Sequence, residues 1–421
     1  MEVDYTQQIE ANVQLAATKY DEAFEQLLGL ERVLRNAENM EFLHPTVLAL
    51  LDIAHRYKPV DETVRVFHLL LTRRAQLKSA ITALVRRAIE YIAEYRTTNR
   101  VTEYERLSLA VCEETEGKVF VDVERARLVR EFALYLEAQN RLEEATRLMH
   151  TMHIETFTSL ESRERMEFLL LQLRIALSCN DFLHATLLSN KVNRTTLQQP
   201  GFELLRLEFC RLEVMFNTHE DNLLEVCRMA LTAFEILDAA TPELGAQIAA
   251  DRFLMNSGFC ADKSLALRVA AFACACAEHC PEKKDLLGRI AGLRAIEQLP
   301  VYQMLLTMFL TDELINTTRL VETCVALYEQ EVRVVLAVPT AVVKEKLQLQ
   351  AVQHNIRTVA LYYHNITLAR FAELLQVTTD ELERQICALV NARHIYAKID
   401  RPRGVVSFVR ARDPKEVLEH W

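Results

Sequence analysis

Apolar positions in this chain recur at a helical spacing, and the segments they mark recur at a longer one. An apolar residue followed three positions later by a small or apolar one opens YDEA at Tyr20, VDET at Val60, VTEY at Val101, LEEA at Leu142, FLHA at Phe182 and LLEV at Leu223. The intervals between these starts are 40, 41, 41, 40 and 41 residues. The inner spacing places both residues on one helix face, where a neighbouring helix can touch them. In YLEAQNRLEEATRLM one helix closes near Gln139 and Asn140, and the next opens at Leu142 with acids in its first turn, where the macrodipole favours them. One helix pair cannot bury its own apolar stripe, so six copies predict a right-handed stack of helix pairs, an α-solenoid, over residues 1–240. Pro45, Pro59, Pro200, Pro242, Pro281, Pro300 and Pro339 fall between helical patterns and are expected to stop helices.

The pattern changes towards the C-terminal end. Residues 241–365 read as further helices, with VYQMLLTMFLTDELI and LVETCVALYEQEV ahead of a long amphipathic helix from Thr340 to Tyr363. TLARFAELL, VTTDELERQICALV and two short extended runs, IYAKI and VVSF around DRPRG, then spell helix, turn, helix and hairpin. That order predicts a winged helix over 366–409, followed by a tail at 410–421. Thr378 and Glu381 form a capping-box pattern, Val377 is placed to staple against Leu382, and Leu382, Ile386, Leu389 and Val390 make the buried stripe. The second helix of a winged helix often lies in the major groove of DNA, but here its leading exposed face carries Asp380, Glu381 and Glu383 against Arg384 alone. Carboxylates there are repelled by phosphates, and Lys398, Arg401 and Arg403 on the hairpin read as a solvated wing. The hairpin strands, expected at Ile395–Ile399 and Val405–Phe408, offer an outer edge to a strand of another chain.

Composition narrows the function classes. Only 8 Gly and 9 Pro occur in 421 residues, which suits a mostly helical protein and leaves no glycine-dense phosphate loop. A formal net charge of -10 disfavours a polyanion as main partner, and the longest apolar stretch, around LALRVAAFACACA, is broken by Arg268 and too short to span a bilayer. The expectation is a soluble chain, not secreted, with no nucleic-acid or membrane partner. Its ten cysteines lie singly on apolar helical faces, as reduced thiols of the cytosol or nucleus do. No GxxxxGK[ST], GxSxG or HExxH pattern occurs. The best metal candidate is CACAEHC, where Cys276 and Cys280 would share a helical face with His279 near it and Cys274 upstream; with no second ligand pair, buried thiols in a helix interface are the expected reading. His150 and His153, one turn apart, and His219 beside Glu220 have no nucleophile at a defined spacing and read as solvated or capping residues. Residues 65–100 form a basic block in an acidic chain, and its Arg73, Arg74, Arg86 and Arg87 read equally as a docking surface for an acidic partner or as a solvated face.

A solenoid ending in a winged helix resembles the PCI module, found in scaffold subunits of the proteasome lid, the COP9 signalosome and translation initiation factor 3. QHNIRTVALYYHNIT, HIYAKIDRPRGVVSF and RARDPKEVLEHW look like proteasome-lid members, as do two stretches further back, at 153–182 and 296–315. The likeness covers most of the chain from about residue 120 and weakens towards the N-terminus. YHNIT and GVVSF are shared with the signalosome paralogue, whereas AKIDR and the RxxDP…LxxW tail point to the proteasome. Family members continue past this tryptophan into a long helix that enters a bundle of lid subunits, and the sequence ends at Trp421, which puts assembly by that route in question.

The resemblance implies a non-catalytic scaffold subunit of the proteasome regulatory particle, supporting ubiquitin-dependent protein degradation in cytoplasm and nucleus without a cofactor or metal. Its implied partners are other lid PCI subunits, the lid deubiquitinase, the ATPase ring and the core particle. The residues expected to contact partners are Ile395, Tyr396, Lys398, Asp400, Val406 and Phe408 on the wing, with His354, Asn355 and Arg357 on the preceding helix. Those three helix residues serve equally well as anchors of the winged helix. The alternatives are a PCI scaffold of the signalosome or of initiation factor 3, and a nucleic-acid adaptor acting through the winged helix.

Overall fold

Each of the six predicted start residues is the first residue of a helix. A computed structural model of the chain describes residues 5–154, 157, 160–256 and 258–409. It divides into two compact units, Met1–Val192 and Asn193–Trp421.

The first unit consists of α1 (Thr6–Ala16), α2 (Tyr20–Asn36), α3 (Met40–Tyr57), α4 (Val60–Thr72), α5 (Lys78–Thr97), α6 (Val101–Glu114), α7 (Asp122–Ala138), α8 (Leu142–His150), α9 (Ser162–Ser178) and α10 (Phe182–Lys191). Helices pack on their neighbours in sequence and on the helix two places along, as α3 does on α5 and α7 on α9, which is the contact pattern of a solenoid. Leu27, Leu50, Phe67, Leu84, Val111 and Val129 run through its continuous core.

The corners between paired helices are built alike. Asn99, Asn140 and Asn180 adopt left-handed backbone, at φ of 56°, 61° and 58°, two residues before α6, α8 and α10. After each, the next N–H reaches back to a carbonyl five residues earlier: Arg100 to Tyr95, Arg141 to Leu136, Asp181 to Ala176. This closes the helix end by satisfying a carbonyl the helix leaves unpaired, and asparagine tolerates the left-handed region better than most residues.

The second unit opens with α11 (Arg194–Leu197), α12 (Glu203–His219), α13 (Leu223–Asp238), α14 (Pro242–Ala250), α15 (Arg252–Asn256), α16 (Lys263–Cys276), α17 (Pro281–Ala291), α18 (Pro300–Leu310), α19 (Thr317–Leu327) and α20 (Arg333–Leu336). Asp221, at φ 64°, turns the corner into α13 as the asparagines do elsewhere. The sixth pair, α12 and α13, packs on α16 and shares its core, so the compact division falls after Val192, ahead of the change of pattern at 240. The long helix α21 (Thr340–Tyr362) leads into β1 (Asn365–Thr367), α22 (Leu368–Leu375), α23 (Thr379–Asn391), β2 (Lys398–Asp400) and β3 (Val405–Ser407).

One proline departs from the expected pattern. Pro242, Pro281 and Pro300 open helices at the first position, and Pro59 and Pro339 sit just before one, but Pro45 lies inside α3. In the second turn its missing N–H removes a single bond, to the Glu41 carbonyl, and the buried Leu43, Val47 and Leu50 carry the helix through.

Candidate subunit interface

The winged helix has a sheet of three strands, ordered β1-β3-β2 and antiparallel throughout. Ile366 and Ile399 flank Val406 from either side. The third strand, β1, is contributed by the NIT of YHNIT and lies outside the hairpin read from the sequence. Its presence corrects the expected roles of two wing residues. Val406 is in the middle of the sheet and fully buried, and Phe408 packs edge-on to Phe371 with ring centroids 6.0 Å apart, so both belong to the small core under α22 and α23 rather than to an outer edge. The first hairpin strand is also shorter than expected: Ile395 and Tyr396 precede β2, Ile395 half-buried against the core and Tyr396 exposed. Among the described residues the open edges belong to β1 and β2, and Tyr396, just before β2, and Lys398, its first residue, stay accessible.

The cap of α23 forms as its residues dictate. Thr378 Oγ1 accepts the N–H of Glu381 at 3.3 Å, and Val377 packs in the same cluster as Leu382. The Glu381 carboxylate turns forward, accepting from Gln385 at 2.8 Å and pairing with Arg384 at 2.5 Å. The acids of this helix also meet the wing: Arg401 donates to Glu383 at 3.1 Å, while Arg403 lies 3.7 Å from Asp400. The two basic side chains best placed for phosphates are therefore matched by carboxylates of the same domain, which leaves little positive field for a nucleic acid.

On α21, two of the three selected residues face inward. Asn355 accepts the Ile315 N–H at 2.7 Å and donates to the Ile315 carbonyl at 2.8 Å; His354 Nε2 lies 3.2 Å from the Glu313 carbonyl. Both are buried and fix the loop after α18, not the winged helix, because they project from the side of α21 that packs on the helical part of the unit. Arg357 lies one turn from them, half-buried, in a cavity walled by α17 and α21.

The basic block is matched internally along the stack. Arg73 pairs with the buried Glu31 of α2 at 2.6 Å, Arg86 with Glu124 of α7 at 2.8 Å, and Arg87 with Asp52 of α3 at 3.0 Å as well as Glu90 at 2.6 Å. Glu31 also holds Arg35, whose guanidinium donates to the backbone carbonyl of Arg74. Arg74 itself is exposed.

The CACAEHC segment is not one helix. Helix α16 ends at Cys276, and Cys280 caps α17 by accepting the Lys283 N–H at 3.3 Å, so Cys276 and Cys280 do not share a helical face. Cys274 and Cys276 are buried, and His279 stands edge-on to His394 at 5.2 Å. Among the described residues no three metal-ligating side chains converge. His150 lies against His184 at 4.3 Å, and burial followed by the neighbouring His150 charge lowers the pKa of His184.

A residue that the sequence did not single out organises this region. Lys283 is buried, and its ammonium donates to the carbonyls of Ala275 and Ala277 at 3.1 and 2.6 Å and to Gln350 Oε1 at 3.4 Å. It thereby closes the C-terminal end of α16, where a cation is favoured. The only sequence signal was a lysine two places after the proline that opens α17.

Comparisons with known proteins agree with this architecture. The family described as PSMD12/CSN4, N-terminal, matches residues 22–238, and the PCI domain matches residues 309–410. The first match extends through the repeats whose resemblance was weakest in the sequence. A 26S proteasome non-ATPase regulatory subunit 12 from Dictyostelium discoideum is 30% identical over 96% of this chain and 85% of its own length. Homolog A of that subunit from Arabidopsis thaliana is 28% identical over 96% of this chain and 92% of its own. The 26S proteasome regulatory subunit RPN5 of Saccharomyces cerevisiae is 26% identical, over 97% and 87% respectively. With helix pairs, a terminal winged helix and near end-to-end similarity all in place, the chain belongs to the PSMD12/CSN4 family of PCI-domain proteins, the family of 26S proteasome non-ATPase regulatory subunit 12.

Proposed function

We propose that this chain is a non-catalytic scaffold subunit of the proteasome regulatory particle lid, working in the cytoplasm and nucleus in ubiquitin-dependent protein degradation. The observation that carries the reading is the similarity to proteasome regulatory subunits over nearly the whole chain, with both the repeats and the PCI domain included. The chemistry of the surface supports it. The winged helix matches Arg401 and Arg403 with its own carboxylates and, among the described residues, leaves two short sheet edges open, which suits strand addition by a neighbouring subunit better than contact with phosphates. The partners on this reading are other PCI subunits of the lid, the lid deubiquitinase, the ATPase ring and the core particle. Tyr396 and Lys398 are the exposed wing positions for such contacts, Asp400 is half-buried beside Arg403, and Arg74 is an exposed member of the basic block.

The family description also spans the signalosome subunit, so the assembly is the point to test. Affinity capture of the tagged chain followed by mass spectrometry should return lid subunits together with ATPase-ring subunits. Recovery of signalosome or initiation factor 3 subunits in their place would overturn the assignment.

A further inference from the structure

One cavity of the second unit gathers positive charge with little to offset it. Its volume is about 70 Å³, and its walls include the cations Lys283, Lys284 and Arg357, the imidazoles of His279 and His354, which burial keeps from charging, and Asp312 as the carboxylate. Most of these groups have partners. Lys283 donates to three oxygens, and His354 meets the Glu313 carbonyl. Asp312 is exposed.

Arg357 differs. Its Nη1 is buried and, among the described residues, has no hydrogen-bond partner and no carboxylate within ion-pairing distance. The guanidinium keeps its charge, so the hydration lost by its buried Nη1 stays uncompensated until an anion meets it. The neighbours register the imbalance. Burial lowers the pKa of Arg357 to about 10, and burial together with the Arg357 and His394 charges lowers that of His279 to about 4. Leu361, which also lines the cavity, is 67% exposed. A free inorganic anion has no use for such an apolar lip, whereas a protein segment does.

We infer that this cavity receives an aspartate or glutamate side chain from a neighbouring protein chain, with Arg357 as the clamp and Leu361 as the apolar lip. The inference rests on the scaffold reading above. A carboxylate fits the guanidinium fork through two parallel hydrogen bonds, and its apolar flank can cover the lip. The contact repairs a charge that the folded chain leaves unmatched, so it strengthens association more than it strengthens the isolated fold.

Carbodiimide coupling, which joins carboxylates to nearby amines, provides the test in the assembled lid, because the exposed Lys284 on the cavity wall can report the incoming acid. Lys284 is expected to couple to an acidic residue of one other subunit, and the coupling is expected to disappear in Arg357→Gln. The isolated Arg357→Gln chain should keep or raise its melting temperature, while recovery of that one subunit falls several-fold. Coupling of Lys284 only within its own chain would overturn the proposal. So would a lowered melting temperature of the isolated variant with equal loss of every subunit, since that marks Arg357 as structural. Inorganic phosphate that stabilises the wild-type chain but not the variant, without coupling between subunits, would overturn the protein-partner assignment. If wild-type and variant chains assemble equally well, the cavity proposal alone fails; if the wild-type chain recovers no lid subunit, the scaffold reading fails with it.

Discussion

The side-chain amide of Asn355 closes on both backbone groups of Ile315, accepting from its N–H at 2.7 Å and donating to its carbonyl at 2.8 Å. All four groups are satisfied in a region closed to water. Asn355→Ala removes both partners at once and should cost about 3 kcal/mol, within the range for leaving buried backbone groups unpaired. Hydrogen exchange at the Ile315 amide is the direct check: its protection should fall in the variant, and unchanged protection would show that the bridge does not form in solution.

Arg73 and Arg86 look equivalent in the sequence, but the structure separates them. Arg73 meets Glu31, which is fully buried, whereas Arg86 meets the partly exposed Glu124 from an exposed position of its own. Arg73→Ala leaves Glu31 with Arg35 alone and should destabilise the first unit by about 2 kcal/mol. Arg86→Ala should change stability by less than about 1 kcal/mol. Urea unfolding of both variants measures the difference, and equal effects would contradict the burial of Glu31.

Burial holds His55, His184, His279 and His354 below the ordinary imidazole pKa, with His279 at about 4. Between about pH 6.5 and 4 the unfolded chain therefore binds protons that the folded chain refuses. The contribution of these imidazoles should be fully present above pH 6.5 and decline as the pH falls towards 4. Melting temperatures across that range should show the decline, and His279→Gln should flatten it. A variant with the wild-type slope would place His279 in solvent.

Val406 and Tyr396 divide the wing into core and surface. Val406→Ala should destabilise the winged helix by about 2 kcal/mol, since it opens a cavity between Ile366 and Ile399. Tyr396→Ala should leave the melting temperature of the isolated chain almost unchanged and, if the wing contacts a neighbour, reduce recovery of lid subunits. Tyr396→Ala material that assembles fully would remove this residue from the interface.

The helix pairs were legible because helical periodicity is a local property, and the starts at Tyr20, Val60, Val101, Leu142, Phe182 and Leu223 all held. The left-handed corners carry a signal of their own that complements it, Asn or Asp two places before the second helix of a pair, at Asn99, Asn140, Asn180 and Asp221. What the sequence concealed was non-local. Three residues, Asn365–Thr367, are too few to show strand periodicity, and their pairing with β3 is what moved Val406 and Phe408 from an expected edge into the core. The basic block showed its charge but not its partners, because Glu31, Asp52 and Glu124 come from helices well separated along the chain. Arg357 was selected as an interface residue, yet its lack of a counter-ion is a property of the folded environment that spacing alone does not convey.

Both open sides of the terminal sheet are only three residues long. A berth that short supplies too few main-chain bonds to retain a stray extended segment, so free copies of the chain should slide past one another without sticking. Retention then depends on what the visitor's side chains add around that berth. Fidelity in choosing a companion is thus built into the brevity of the strands.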